Sequence, residues 1–137
     1  MTFMDTIANQ PSEHQGAAVD VGSGPLFDLG RKAHFINASN GWDVFTRHDF
    51  PNDAAEIDDR FTVRFLCTHM ALVHSEVSEA LEAVRKRDRE NFDEELADVI
   101  IRVASIAYGL GTNLDAVIAA KLAKNATRGL HHGGKAV

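Results

Sequence analysis

The fold is decided by residues 72–103, which read LVHSEVSEALEAVRKRDRENFDEELADVIIRV. Two acidic pairs stand in this stretch with the same internal spacing, Glu76-x-x-Glu79 and Glu95-x-x-Asp98. Each pair lies among apolar residues of helical period, and a separation of three residues places both carboxylates of a pair on one helix face. The pattern predicts two helices, each presenting an acidic pair.

The charged run RKRDRE lies between the two predicted helices and is centred on residues 87 and 88. Helices joined by a short connection pack antiparallel to each other. With the turn at residue 87, Glu79 faces Glu95 and Glu76 faces Asp98, because residue 87 is the midpoint of both pairs. We therefore expect the four carboxylates to lie at the same height of a helical hairpin.

Other acids in the same stretch have the neighbours expected of a solvated helix surface. Glu82 is followed by Arg85 and Lys86 at three and four residues, and Glu90 is preceded by Lys86 at four. Such spacings are typical of surface ion pairs. These two acids serve as an internal comparison for the acidic pairs.

The acidic pairs differ from this comparison because they lack basic partners on their own helix. Asp98 has Arg102 at four residues, whereas the other three have none: Glu76, Glu79 and Glu95. An unpaired acidic cluster beside an apolar stripe is costly unless something outside the helix compensates it. Carboxylate oxygens select hard cations, so the cluster predicts a Mg²⁺ site that Mn²⁺ can also occupy. A di-iron centre is not expected, because no His stands three residues after a Glu.

The rest of the chain predicts one all-α domain of about four helices. Residues 1–24 are polar and predict a flexible N-terminal arm, and residues 131–137 predict a C-terminal tail without periodicity. Between them, residues 25–130 predict a helical bundle whose core is completed by homo-oligomerisation. The four expected helices run from Pro25 to Ala38, from about Asp53 to Val84, from an Asn91 cap to Leu110, and from Thr112 to about Arg128.

The composition excludes several classes of function. A formal net charge of −6 argues against nucleic-acid binding. Cys67 is the only cysteine, which excludes an intramolecular disulfide, and we expect it to be a small buried hydrophobe. No apolar stretch approaches the ~18 residues of a membrane span, and no secretory signal stands at the N-terminus. We therefore expect a cytoplasmic protein without a membrane partner.

Four segments together are similar to one known family, the all-α nucleoside triphosphate pyrophosphohydrolases of MazG type. The resemblance covers roughly residues 26–130 and is most specific in the two acidic motifs at this separation. Ser75 departs from the pattern, because many relatives carry a further Glu there, so the number of metal ions stays open. The segments are LVHSEVSEAL at 72–81, EELADVII at 94–101, Lys121-x-x-x-Asn125 with Arg128, and GWDVF at 41–45.

The resemblance implies Mg²⁺-dependent hydrolysis of a (d)NTP to the monophosphate and pyrophosphate by a homodimer or homotetramer. It assigns the cation and the catalysis to the two acidic pairs, with Glu76 or Glu79 as general base. Phosphate contacts would come from Lys121, Asn125 and Arg128, which share one helix face. Trp42 would stack on or border the base, and His34 would help to shape the same pocket.

Several alternatives remain open at the level of sequence. Within the enzyme class, the protein could be specific for a deoxynucleotide such as dUTP, dCTP or dGTP, or could act on phosphoribosyl-ATP. Outside it, the acidic face could dock a basic partner in a helical interaction module without catalysis. The acidic pairs carry no information on the base or the sugar.

Overall fold

The computed structural model describes residues 22–44 and 60–128. Within these ranges the chain forms helices and no strand, which confirms the predicted all-α class. The predicted arm before residue 22, the start of the second helix near residue 53 and the tail at 131–137 lie outside the described residues. The helices are α1 (Pro25–Ser39), α2 (Arg60–Lys86), α3 (Arg89–Leu110) and α4 (Leu114–Ala126).

The turn between α2 and α3 is centred on residue 87, as predicted. Arg87 adopts a left-handed conformation with φ 59°, which reverses the chain within two residues. Asp88 then caps α3, and its carboxylate accepts the backbone N–H of Asn91 at 3.1 Å. The prediction that Asn91 is the cap was wrong, because the aspartate three residues earlier already satisfies a free N–H of the first turn.

Small side chains dominate the buried apolar surface. They are Val73, Ala80 and Ala83 on α2, Ala33 on α1, and Ala104 and Ala107 on α3, where Ala104 meets α1. The apolar spacing along α2 predicts a buried stripe of Leu66, Met70, Val73, Val77, Ala80 or Leu81, and Val84. The prediction was only partly right, because Val73 and Ala80 are buried whereas Met70, Val77, Leu81 and Val84 are exposed. Cys67 is exposed as well, contrary to expectation. The hairpin consequently has a second apolar face that stays exposed among the residues the structure describes.

α3 lies between α2 and α1 and packs against both. Phe27 meets Tyr108 at a ring-centroid distance of 5.3 Å. The first residues of α1 bond to Asp115 beyond the end of α3, whereas Asn37 near the end of α1 shares a cavity wall with Asp98, so the two helices run antiparallel. The closest approach is at Gly30, where an added Cβ would lie 2.3 Å from the backbone oxygen of Ala104. A glycine is required there, and it brings α1 close enough to α3 to form one wall of the site described below.

One carboxylate ties α4 to the start of α1. Asp115, in the first turn of α4, accepts the N–H groups of Leu26 at 3.1 Å and Phe27 at 2.9 Å. Gly24, at the N-cap of α1, provides no side chain to do this. Such a cap contributes about 1 kcal/mol of stability. The helix α4 itself is capped by Asn113 rather than by the predicted Thr112.

α4 departs steeply from α3, with a bend of 112° at the break after Leu110. None of its residues is buried. Taken one at a time, the helices within 22–44 and 60–128 are too short or too polar to cross a membrane. The α3–α4 pair meets the length and composition requirement only when both helices are counted across their bend.

Candidate functional site

Three carboxylates from the two hairpin helices converge at one point. Glu76 and Glu79 on α2 and Glu95 on α3 each bring an oxygen to within 4.8 Å of the others. Glu76 and Glu95 are buried, with 7% and 8% of their surface exposed, and Glu79 is exposed. Three oxygen donors with one side open to solvent suit a hard divalent cation such as Mg²⁺, which keeps several waters. The donor set therefore fits the metal that the sequence predicted.

Asp98, the fourth predicted acid, is not among the converging oxygens. It is exposed and lies one helical turn beyond Glu95, at the edge of a neighbouring cavity. The midpoint arithmetic pairs Glu76 with Asp98, but the Glu76 carboxylate is engaged by Arg102 instead. The hairpin thus brings three of the four acids together and leaves Asp98 between the cluster and the cavity.

Arg102 on α3 supplies a positive charge that compensates the acidic pair on α2 from outside that helix. Its Nε and Nη2 each lie 2.6 Å from Oε1 of Glu76, across the hairpin. In the sequence, this arginine stands out only as a helical neighbour of Asp98. The overlooked signal is a lone cation inside the apolar run IIRVA at 100–104.

The fold also shifts the pKa of the third acid. Burial raises the pKa of Glu95, and the neighbouring Glu79 charge, a hydrogen bond with Glu76 and the Glu76 and Asp98 charges raise it further. The guanidinium of Arg102 offsets part of the charge of the cluster, and Glu95 takes up a proton more readily than an isolated glutamate.

The two comparison acids behave differently from each other. Glu82 pairs with Arg85 at 3.7 Å and Lys86 at 3.6 Å, which confirms the predicted surface ion pairs. Among the described residues Glu90 has no cation within 4.0 Å, so that half of the prediction was wrong. The neighbouring Arg89 pairs with Asp93 at 2.9 Å instead.

A cavity of about 510 Å³ adjoins the acidic cluster, with walls from α1, α2 and α3. Two of the predicted substrate-binding residues, Trp42 and His34, line it together with Asp98. Its volume is within the range typical of small-ligand sites. The other polar residues of its wall include Asn37, Thr68, His69, Arg102 and Ser105.

Trp42 lies at the rim of this cavity with 69% of its surface exposed. Its backbone N–H is bonded to the carbonyl of Asn37 at 3.0 Å, so the turn after α1 fixes its position. A tryptophan that anchors a core would be largely buried, so this exposure does not fit such a role. Its indole ring is available to a ligand in the cavity.

Two histidines stand in the cavity wall. His34 is buried, and its ring packs edge-on against Tyr108 at 5.2 Å. Burial and the charge of Arg102 lower the pKa of His69, while Asp43 acts in the opposite direction. A neutral His69 can both donate and accept a hydrogen bond. His69 stands two turns before Glu76, as Arg102 stands two turns after Glu95.

The predicted phosphate-binding residues lie elsewhere in the chain. Lys121 and Asn125 are exposed on α4, and Arg128 follows the end of that helix. None of the three lines the cavity. The reason is that α4 starts beyond Gly111, about 24 Å along α3 from Glu95 at 1.5 Å per residue. A single chain does not bring these residues to the acidic cluster.

Comparison with known proteins adds a family to this geometry. The model of the MazG nucleotide pyrophosphohydrolase domain matches residues 66–132. The matched segment holds all three converging carboxylates, Asp98, Arg102 and the whole of α4, whereas α1 and Trp42 precede it. No curated protein and no solved structure matches the chain.

Proposed function

We propose that the chain, whose residues 66–132 match the model of the MazG nucleotide pyrophosphohydrolase domain, belongs to this family and hydrolyses a (d)NTP to the (d)NMP and pyrophosphate with Mg²⁺. The observation that carries the proposal is the convergence of three carboxylate oxygens within 4.8 Å beside a cavity of about 510 Å³. An acidic cluster alone repels a polyphosphate, whereas a cluster that holds a cation attracts it. In this proposal α1 belongs to the catalytic domain, residues 25–130, because it forms a wall of the cavity.

The acidic residues have distinct roles in this proposal. Glu76, Glu79 and Glu95 hold the Mg²⁺ ion, with Mn²⁺ as a substitute, and Asp98 joins them from the cavity side. When bound, the ion neutralises charge on the phosphate oxygens and lowers the pKa of a bound water. Glu79 is the best candidate for the general base, because it is exposed and Glu76 is held by Arg102.

The cavity is proposed to receive the nucleoside part of the substrate. Trp42 at its rim would stack on the base, because an exposed indole offers a flat apolar face to any nucleobase. His34 shapes the inner wall through its packing on Tyr108. This arrangement supports binding of a nucleoside without selecting among the bases or between ribose and deoxyribose.

Lys121, Asn125 and Arg128 are proposed to contact the phosphates. Their spacing of four and three residues gives one shared face that carries two positive charges. The support for this role is the resemblance of Lys-x-x-x-Asn to the family motif. Because none of the three residues lines the cavity, this role can be tested independently of the acidic cluster.

The outer face of the α2–α3 hairpin is proposed to pair with a second copy of the chain. Six apolar side chains are exposed there, more than an isolated helical domain usually leaves uncovered. A homodimer or homotetramer would bury them and complete the core. They are Met70, Val77, Leu81 and Val84 on α2 and Leu96 and Ile100 on α3. The free Cys67 suits a reducing, cytoplasmic location.

The proposed reaction is tested by incubating the protein with each of the eight common nucleoside triphosphates and Mg²⁺ and separating the products by anion exchange. We expect a monophosphate and pyrophosphate in equal amounts, no turnover in EDTA, and recovery with Mg²⁺ or Mn²⁺. Release of orthophosphate would contradict the stated reaction. Absence of hydrolysis with all eight substrates would favour the helical interaction module instead.

A further inference from the structure

Arg102 connects the acidic cluster with the cavity. Its Nε–H donates to Oε1 of Glu76, a buried cluster member, and Nη2 lies 2.6 Å from the same oxygen. The same side chain is 39% exposed and forms part of the cavity wall. Arg102 therefore contacts both the acidic cluster and the cavity, the two places where the proposed function needs a positive charge.

The guanidinium is the sole compensating cation that the described part of the chain offers to the cluster. Within 22–44 and 62–128, no other Lys, Arg or His nitrogen lies within 4.0 Å of a carboxylate oxygen of Glu76, Glu79 or Glu95. A divalent cation among these oxygens would stand a few ångströms from the guanidinium. Like charges at such a short separation repel each other. Arg102 and the cation therefore compete for Glu76.

We propose that Arg102 is a built-in counter-ion of the acidic cluster, which releases Glu76 when a divalent cation joins and turns into the cavity to meet the anionic substrate. This inference rests on the proposed function, because it assumes that the cluster binds a cation. The cavity of about 510 Å³ has room for the guanidinium, and Asp43 in its wall offers an acceptor. Release of Arg102 would thus add a positive charge to the cavity whenever the cluster is loaded.

The first test is titration of the protein with Mn²⁺ alone by calorimetry, without nucleotide. We expect Arg102→Gln to bind Mn²⁺ about tenfold more tightly than the wild type, because the competing charge is gone. Arg102→Lys, which keeps the charge, should stay near the wild-type affinity. An unchanged or weaker affinity in Arg102→Gln, with its helical circular dichroism retained, would overturn the inference.

The second test is carried out on the wild-type protein, so it does not depend on the folding of a variant that lacks the charge. The Arg102 Nε–H resonance in the proton NMR spectrum is identified by its disappearance in Arg102→Lys. In the wild type this resonance should shift upfield as Mg²⁺ breaks the short hydrogen bond of the Nε–H. A resonance that stays in place at saturating Mg²⁺ would overturn this inference and leave the proposed metal site intact. A wild-type protein that binds neither Mg²⁺ nor Mn²⁺ would overturn both.

Discussion

Arg102 on α3 and Glu76 on α2 form an ion pair across the helical hairpin, with two guanidinium nitrogens 2.6 Å from one carboxylate oxygen. The pair makes the acidic cluster and the neighbouring cavity parts of one site. A change of charge in the acidic cluster therefore changes the electrostatic potential in the cavity, and a change in the cavity does the same in the cluster. The predictions below follow from this site and from the surfaces around it.

The raised pKa of Glu95 predicts a specific pH dependence of stability. The folded state binds this proton more tightly than the unfolded state, so the contribution of Glu95 is fully present below its ordinary pKa of 4.5 and is lost as pH rises through the raised value. In EDTA, Glu95→Gln should therefore resist urea better than the wild type at pH 7, with the advantage vanishing near pH 4. The measurement is the free energy of unfolding of both proteins at these two pH values. Parallel pH profiles would contradict the account.

Added Mg²⁺ should reverse this trend in the wild type. The ion needs the deprotonated carboxylate, so the Mg²⁺-induced rise in Tm should grow as pH rises through the Glu95 pKa. Glu95→Gln should show a smaller rise at pH 7. An equal rise in the two proteins would remove Glu95 from the metal site.

Trp42 should report nucleotide binding. Stacking on a base is worth about 1–3 kcal/mol, so Trp42→Ala should raise KM by about tenfold or more with kcat little changed. Because the side chain is exposed, its loss should change stability by no more than about 0.5 kcal/mol. In the wild type, a nucleotide should quench the tryptophan fluorescence. No quenching, together with an unchanged KM, would place the base elsewhere.

The basic face of α4 can be tested with a matched pair of lysines. Lys121 and Lys124 are both exposed on the same helix, but only Lys121 shares a face with Asn125 and Arg128. Lys121→Glu should raise KM for the triphosphate, whereas Lys124→Glu should not. Equal effects of the two reversals would reduce the role of α4 to its general charge.

The exposed apolar face of the hairpin predicts a defined assembly. Leu81 is 52% exposed at its centre, and Leu81→Glu should convert a dimer or tetramer into a monomer that keeps its helical circular dichroism. Molar mass from light scattering is the measurement. Leu122→Glu, on α4, is the control, because it changes an equally exposed leucine outside the hairpin. Dissociation by the control alone would move the interface to α4.

The sequence was most informative where local geometry decides the outcome. The midpoint at residue 87 correctly predicted the turn and the meeting of Glu79 with Glu95, because helical spacing and a short connection leave one antiparallel register. Arg102 was missed because its partner is 26 positions away and on another helix. No pattern within one helix reveals such a contact.

The buried face of α2 was misassigned for a related reason. The larger residues Val77 and Leu81 dominate the apolar periodicity, yet Ala80 and Ala83 face α3. Close packing of two helices favours small side chains, while a second apolar face with the same period can serve a partner. Periodicity alone does not say which face belongs to the single chain.

The central claim is that the converging carboxylates form the catalytic metal site, and one matched comparison tests it most directly. Glu79→Gln and Glu82→Gln remove the same charge three residues apart on α2, one in the cluster and one in the surface pairs with Arg85 and Lys86. The measurement is the rate of pyrophosphate release from the best triphosphate at saturating Mg²⁺. We expect Glu79→Gln to lose about a hundredfold or more and Glu82→Gln to stay near the wild type. Equal rates in the two variants would contradict the account.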